Sequence, residues 1–177
     1  MACGKSEKLP VFFENEPIPS FKMQNQAGKT LTEQDFLGKI YVADFFFSTC
    51  PGICKVMAKE MKTVQNQTKD MAEVQLISFS VDPETDSVAR LKEYGEMIGA
   101  TEGKWHLMTG KYENVFDLAQ KKYHIAALKD ATADGGIFHD ERLVLVDKNG
   151  RVRGFYHIKD SVKMEQLMKD IGYLRSL

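Results

Sequence analysis

A chain of 177 residues, 43% of them hydrophobic and 28% charged, has room for one packed domain and enough apolar side chains to fill its core. Lys plus Arg number 24 against 25 for Asp plus Glu, so the net charge of -1 lacks the basic excess through which nucleic-acid binders usually hold phosphate. The richest apolar stretch, residues 40–47, carries Asp44 and is far shorter than the ~18–20 residues that span a bilayer.

Residues 1–16 are charged, polar and Pro-containing, and read as a tether or irregular arm ahead of a domain over 17–177. Met1-Ala2-Cys3-Gly4-Lys5-Ser6 is similar to the junction at which a bacterial lipoprotein is cut before its cysteine. On that reading Met1 and Ala2 remain from a trimmed export signal, and Cys3 carries a lipid anchor that holds the protein to a membrane on the extracytoplasmic side. The other reading is an exposed thiol at a frayed terminus.

Phe21 and Met23, the turn residues Asn25-Gln26-Ala27-Gly28 and the return to Thr30 predict a hairpin. Thr32-Glu33-Gln34-Asp35 before Phe36-Leu37 predicts a capped helical turn ending at Gly38. Residues 40–47 form a nearly continuous apolar run, as in a strand covered on both faces. After Ser48-Thr49-Cys50-Pro51-Gly52, the spacing of Ile53, Met57, Met61 and Val64 predicts a helix to about residue 68, with both methionines in the core. A second covered strand follows over 74–81, a helix over 85–98 led by Leu91, Tyr94 and Ile98, a short strand over 105–108 and a helix over 112–123. Asp147-Lys148-Asn149-Gly150 joins strands over 143–146 and 152–156. A closing helix over 161–173 uses Val162, Leu167, Met168 and Ile171. Met164 and Met168 read as packing residues. Strands alternating with helices imply parallel pairing, and the terminal hairpin adds antiparallel strands. The fold class is therefore α/β, a thioredoxin-like mixed sheet flanked by helices with an N-terminal β-hairpin.

Cys50 and Cys54 fall at the junction of the first covered strand and its helix. Unpaired N–H groups at a helix N-terminus stabilise a thiolate. Four-residue spacing brings two sulfurs to roughly one helical face, close enough to hold one ion or to form a disulfide. Pro51 suits the first helical turn, where a missing N–H costs little.

Phe45-Phe46-Phe47-Ser48-Thr49-Cys50-Pro51-Gly52-Ile53-Cys54 resembles the Sco/SenC family, thioredoxin-fold copper proteins that serve cytochrome oxidase assembly. The resemblance continues through Ser78-Phe79-Ser80-Val81-Asp82-Pro83-Glu84-Thr85-Asp86, through Trp105, Leu107-Met108-Thr109-Gly110, and through His139 and Leu143-Val144-Leu145-Val146-Asp147-Lys148-Asn149-Gly150. It implies that Cys50, Cys54 and His139 bind copper. The implied partners are the copper-site subunit of cytochrome c oxidase or another cuproprotein, and a thiol reductant. Two departures stand out: Lys55 follows Cys54 where the family has Pro, and Gly52-Ile53 lies between the cysteines where Asp is frequent.

Two thiolates with one imidazole suit Cu(I) and also hold Cu(II), whereas structural zinc takes four protein ligands. His106, His124 and His157 read as ordinary polar residues, while His139 follows the Gly-rich Asp134-Gly135-Gly136 and directly precedes a strand. Asp82, at the same sheet edge as the cysteines, reads either as an acceptor orienting a ligand or as a helix cap. The competing function is a thiol–disulfide oxidoreductase reducing cysteines of a copper-site partner, in which Cys50 and Cys54 are the catalytic redox pair. A peroxiredoxin fits less well, because Phe47 stands where its reactive cysteine has a preceding Thr.

Overall fold

The computed structural model describes residues 9–16 and 19–177; Cys3 lies outside them. Strands β1 (Lys22–Asn25) and β2 (Thr30–Thr32) form the expected hairpin. Its turn is held by the Asn25 side chain, whose Oδ1 accepts the N–H groups of Ala27 and Lys29, each at 3.0 Å. The following 3₁₀ turn, Glu33–Phe36, is closed by Asp35, whose carboxylate accepts the Thr32 N–H at 2.8 Å.

Every residue of β3 (Ile40–Phe46) and β4 (Val74–Ser80) is buried, which explains why those runs show no apolar–polar alternation. The two pair in parallel across helix α1 (Ile53–Gln67), and β4 pairs in parallel with β5 (Trp105–Thr109) across helix α2 (Val88–Ile98). Helix α3 (Tyr112–Asp117) runs on into a π-helical turn, Leu118–Lys122. A separate two-stranded ribbon follows, β6 (Ala127–Lys129) with β7 (Ile137–His139). Strands β8 (Arg142–Val146) and β9 (Val152–His157) form the predicted hairpin, and α4 (Ser161–Arg175) closes the chain. The main sheet runs β2-β1-β5-β4-β3-β8-β9, mixed as expected, with β1 antiparallel to β5 and β8 antiparallel to β3.

The core joins Phe36, Phe45, Phe79, Trp105 and Tyr123 with the aliphatic faces of the helices. Burying each large side chain contributes about 1.5–3 kcal/mol. Met57 and Met61 are fully buried as predicted, and Met164 and Met168 pack half-buried against the same core. Val162 departs from its predicted role and stays 71% exposed. It lies in the first turn of α4, where burial begins only with the half-buried Met164. Residues 9–16 form an arm along β9: Arg153 donates to the carbonyls of Leu9 and Pro10, and Phe12 N–H to that of Val152.

Candidate metal centre

The buried strand β3 ends at Phe46 and delivers the chain to the sheet edge. Its continuation is fastened from below by Asp86, whose Oδ2 accepts the Ser48 N–H at 3.0 Å and the Ser80 hydroxyl at 2.5 Å. Cys50 then closes a turn, its N–H donating to the Phe47 carbonyl at 3.2 Å. Helix α1 starts only at Ile53, so Cys54 sits in its first turn whereas Cys50 and Pro51 belong to the loop before it. The sequence expectation of both sulfurs on one helical face is corrected accordingly. Both thiols are buried and reduced.

The β6–β7 ribbon brings the third group. His139, at the end of β7, is opposite Ala127 and buried. Its ring stands edge-on to Phe47, 5.8 Å between centroids. Nδ1 lies 3.3 Å from the Asp140 carbonyl, which can only accept, so the proton belongs on Nδ1. Nε2 faces Cys54 Sγ at 3.0 Å. Gly135 allows the loop between the two strands to lie against the cysteine loop. Its φ is +76°, and a β-carbon there would stand 2.8 Å from Phe47 Cε2 and 3.3 Å from Pro51 Cδ.

One ligand atom from each of Cys50, Cys54 and His139 lies within 4.8 Å of the others. Three donors around one ion with bonds of about 2.0–2.3 Å occupy that compass. The thiols are electrically unlike. Hydrogen bonding from Cys54 is the chief reason Cys50 is pushed down to about 4, with further help from His139 and the N–H groups of Cys54 and Gly52, against the opposing effect of burial. Cys54 moves the other way, raised by that same hydrogen bond and then by burial. Near neutrality the pair is thus a Cys50 thiolate beside a Cys54 thiol that shares its proton.

Asp82 is half-buried, its N–H accepted by the Ser80 hydroxyl and its carbonyl accepting from Thr85 and Asp86. The buried carboxylate beneath the cysteine loop is Asp86, which sequence reasoning passed over; its position after the covered strand β4 is the signal that could have marked it. In the sequence Asp44 is marked only as a charge inside an apolar run. It is buried, accepts from the Ser78 hydroxyl, and is pushed up to about 6 by burial, partly offset by Ser78 and His139. His106 is held between Gln75 and Asn25, His124 stacks on Phe13 beside Glu16, and His157 lies near Glu141. None of those three reaches the cysteines.

A thioredoxin-like sheet with two thiols and an imidazole converging at the start of its first long helix defines a class of thiol-based metal and redox proteins. The chain belongs to the SCO1/SenC family, whose sequence model matches residues 13–174. It is 30% identical over 172 residues to the SCO1 protein homolog of Bacillus subtilis, covering 96% of this chain and 88% of that one. Among solved structures it is similar to a SCO1/SenC family lipoprotein from Bacillus anthracis, at 29% identity and a TM-score of 0.82, covering 92% of this chain and 96% of that chain. It is also similar to BsSco, a Sco-family cytochrome c oxidase assembly protein with a disulfide switch, at 28% identity and a TM-score of 0.79 over 90% and 94% of the two chains. Bradyrhizobium japonicum ScoI, solved with copper bound, matches at 26% identity and a TM-score of 0.73 over 88% and 97%.

Proposed function

We infer that this protein carries copper as cargo on Cys50, Cys54 and His139 and delivers it to a copper site, that of cytochrome c oxidase or of another cuproprotein. The observation that carries this reading is the convergence of two thiols and one imidazole within 4.8 Å. The donor set is soft enough for Cu(I) and mixed enough for Cu(II). A structural zinc site takes four ligands, and the cluster found among the described residues offers three. Cys50 is already ionised, so loading has to displace one proton, that of Cys54. Copper-bound ScoI and the assembly role of BsSco support the same reading. The test is copper content after mixing reduced protein with Cu(I) and desalting. One copper per chain is expected, together with strong sulfur-to-copper absorption when Cu(II) is used. Equal copper retention by a Cys50→Ser, Cys54→Ser variant would sink the proposal.

A second reading, thiol–disulfide exchange with a partner's cysteines, is favoured by the ionised Cys50. His139 separates the two, because an exchange reaction has no use for a third ligand, whereas copper binding does.

The site of action proposed is the extracytoplasmic face of a membrane, with Cys3 as the lipid-bearing residue. The Bacillus anthracis relative is a lipoprotein, and no helix among the described residues is long and apolar enough to cross a membrane. An acyl anchor of two or more chains gives the stable hold that one chain does not. Expression of the complete gene in its host should place the protein in the membrane fraction with acylated Cys3; freely soluble protein with an unmodified Cys3 would defeat the assignment.

A further inference from the structure

The cleft between α1 and α2 opens onto one metal-site residue, Cys50, and onto neither Cys54 nor His139. It has a volume of about 370 Å³. The larger clefts elsewhere on the molecule are lined by none of the three. Tyr94 and Ile98 give the cleft an apolar wall, with Tyr94 stacked on Phe46 at 5.3 Å, and Met97 stands on its rim 72% exposed. The opposite wall is α1, which presents Lys55, Lys59 and Lys62 along one stripe. No carboxylate lines the cleft, and none of these lysines forms an ion pair among the described residues. Lys62 donates to the Gly99 carbonyl at the end of α2, and Arg90, itself paired with Glu93 at 3.9 Å, donates to the Ser48 hydroxyl beside Cys50.

We propose that this cleft receives an extended, acidic segment of the copper-exchanging partner, laid between the lysine stripe and Met97 so that the partner's own metal-binding group arrives at Cys50. The proposal rests on the copper reading above and names the surface through which it works. One apolar wall facing one cationic wall selects a chain that alternates apolar contact with negative charge, and it disfavours a basic one. Exposed charge pairs are individually weak and screened by salt. Recognition of this kind therefore steers the encounter and releases the partner readily, which suits a carrier that must let go.

The test uses fluorescein-labelled decapeptides, each with a central serine so that no thiol chemistry intervenes, flanked by four acidic, four neutral or four basic residues. Binding to the metal-free reduced protein is followed by anisotropy, and the contact surface by NMR shift mapping. At low salt the acidic peptide should bind about tenfold more tightly than the neutral one, with shifts centred on Lys55, Lys59, Tyr94 and Met97. That preference should vanish near 1 M salt, where the Debye length falls to about 3 Å. Lys59→Glu and Met97→Glu, both at exposed positions, should each weaken acidic-peptide binding, and Lys59→Glu should shrink the preference for the acidic over the neutral peptide. Equal binding of acidic and neutral peptides, or shifts mapping elsewhere, would overturn the proposal. So would glutathione binding at the cleft as tightly as the acidic peptide, since the occupant would then be a small thiol. Copper content measured on the same preparations keeps the two readings apart: normal copper binding without peptide docking defeats the docking surface alone.

Discussion

Cu(I) added to the reduced protein should raise its melting temperature by roughly 8–16 °C when free copper is held near a thousand times Kd, and a Cu(I) chelator should reverse the shift. A ligand that binds only the folded state stabilises it by about 4 kcal/mol at that excess, and a domain of this size gains about 2–4 °C per kcal/mol. The folded state is where the site exists, because its three donors come from the loop after β3, the first turn of α1 and the end of β7, which only tertiary packing brings within 4.8 Å. A Cys50→Ser, Cys54→Ser variant should show no shift. His139→Ala leaves two donors; an affinity about a hundredfold lower at the same free copper leaves about 1.4 kcal/mol, a third of the wild-type effect. Each variant is compared with and without copper, so any intrinsic cost of breaking the contact between Cys54 Sγ and His139 Nε2 at 3.0 Å cancels. A wild-type shift in the double cysteine variant would remove the cysteines from the ligand set.

Oxidation should close the site as completely as mutation does. Treating a Cys3→Ser variant with diamide, a two-electron thiol oxidant, is expected to lower the mass by two hydrogens, join Cys50 to Cys54 and abolish copper uptake; dithiothreitol should restore it. The sulfurs stand within 4.8 Å of each other, and a disulfide needs about 2.05 Å. Because α1 begins at Ile53, the approach is made by the Cys50 loop and leaves the helix intact. The ionised Cys50 supplies the thiolate that such chemistry requires. At the extracytoplasmic face proposed above, the surroundings would be oxidising; a reductant would then have to act before loading, and bound copper would occupy both sulfurs. Undiminished copper binding by the disulfide form would show that these cysteines are not the ligands, and the functional reading would fall with them.

Local sequence determined much of this protein. The unbroken apolar runs of β3 and β4, the helical spacing of Met57 and Met61, and the Asp147-Lys148-Asn149-Gly150 turn are short-range signals, and they imply the α/β order and the mixed sheet. The cysteine pair was legible by its position between strand and helix, and His139 through the family resemblance. The ribbon that carries His139 was not foreseen. Its strands are three residues long and leave Leu128 and Phe138 about half exposed, so no periodic pattern marks them. Nor could spacing reveal that Cys50 stands outside the helix, since a helix start moves by a turn according to what fastens the loop before it. Here that fastening is Asp86, reaching across from beyond β4 to Ser48. The unlike ionisation of the two thiols starts from the hydrogen bond between them, and tertiary structure adds the rest: burial acts on both, and the His139 imidazole, 85 residues from Cys54 in the chain, reaches them only once the sheet has folded.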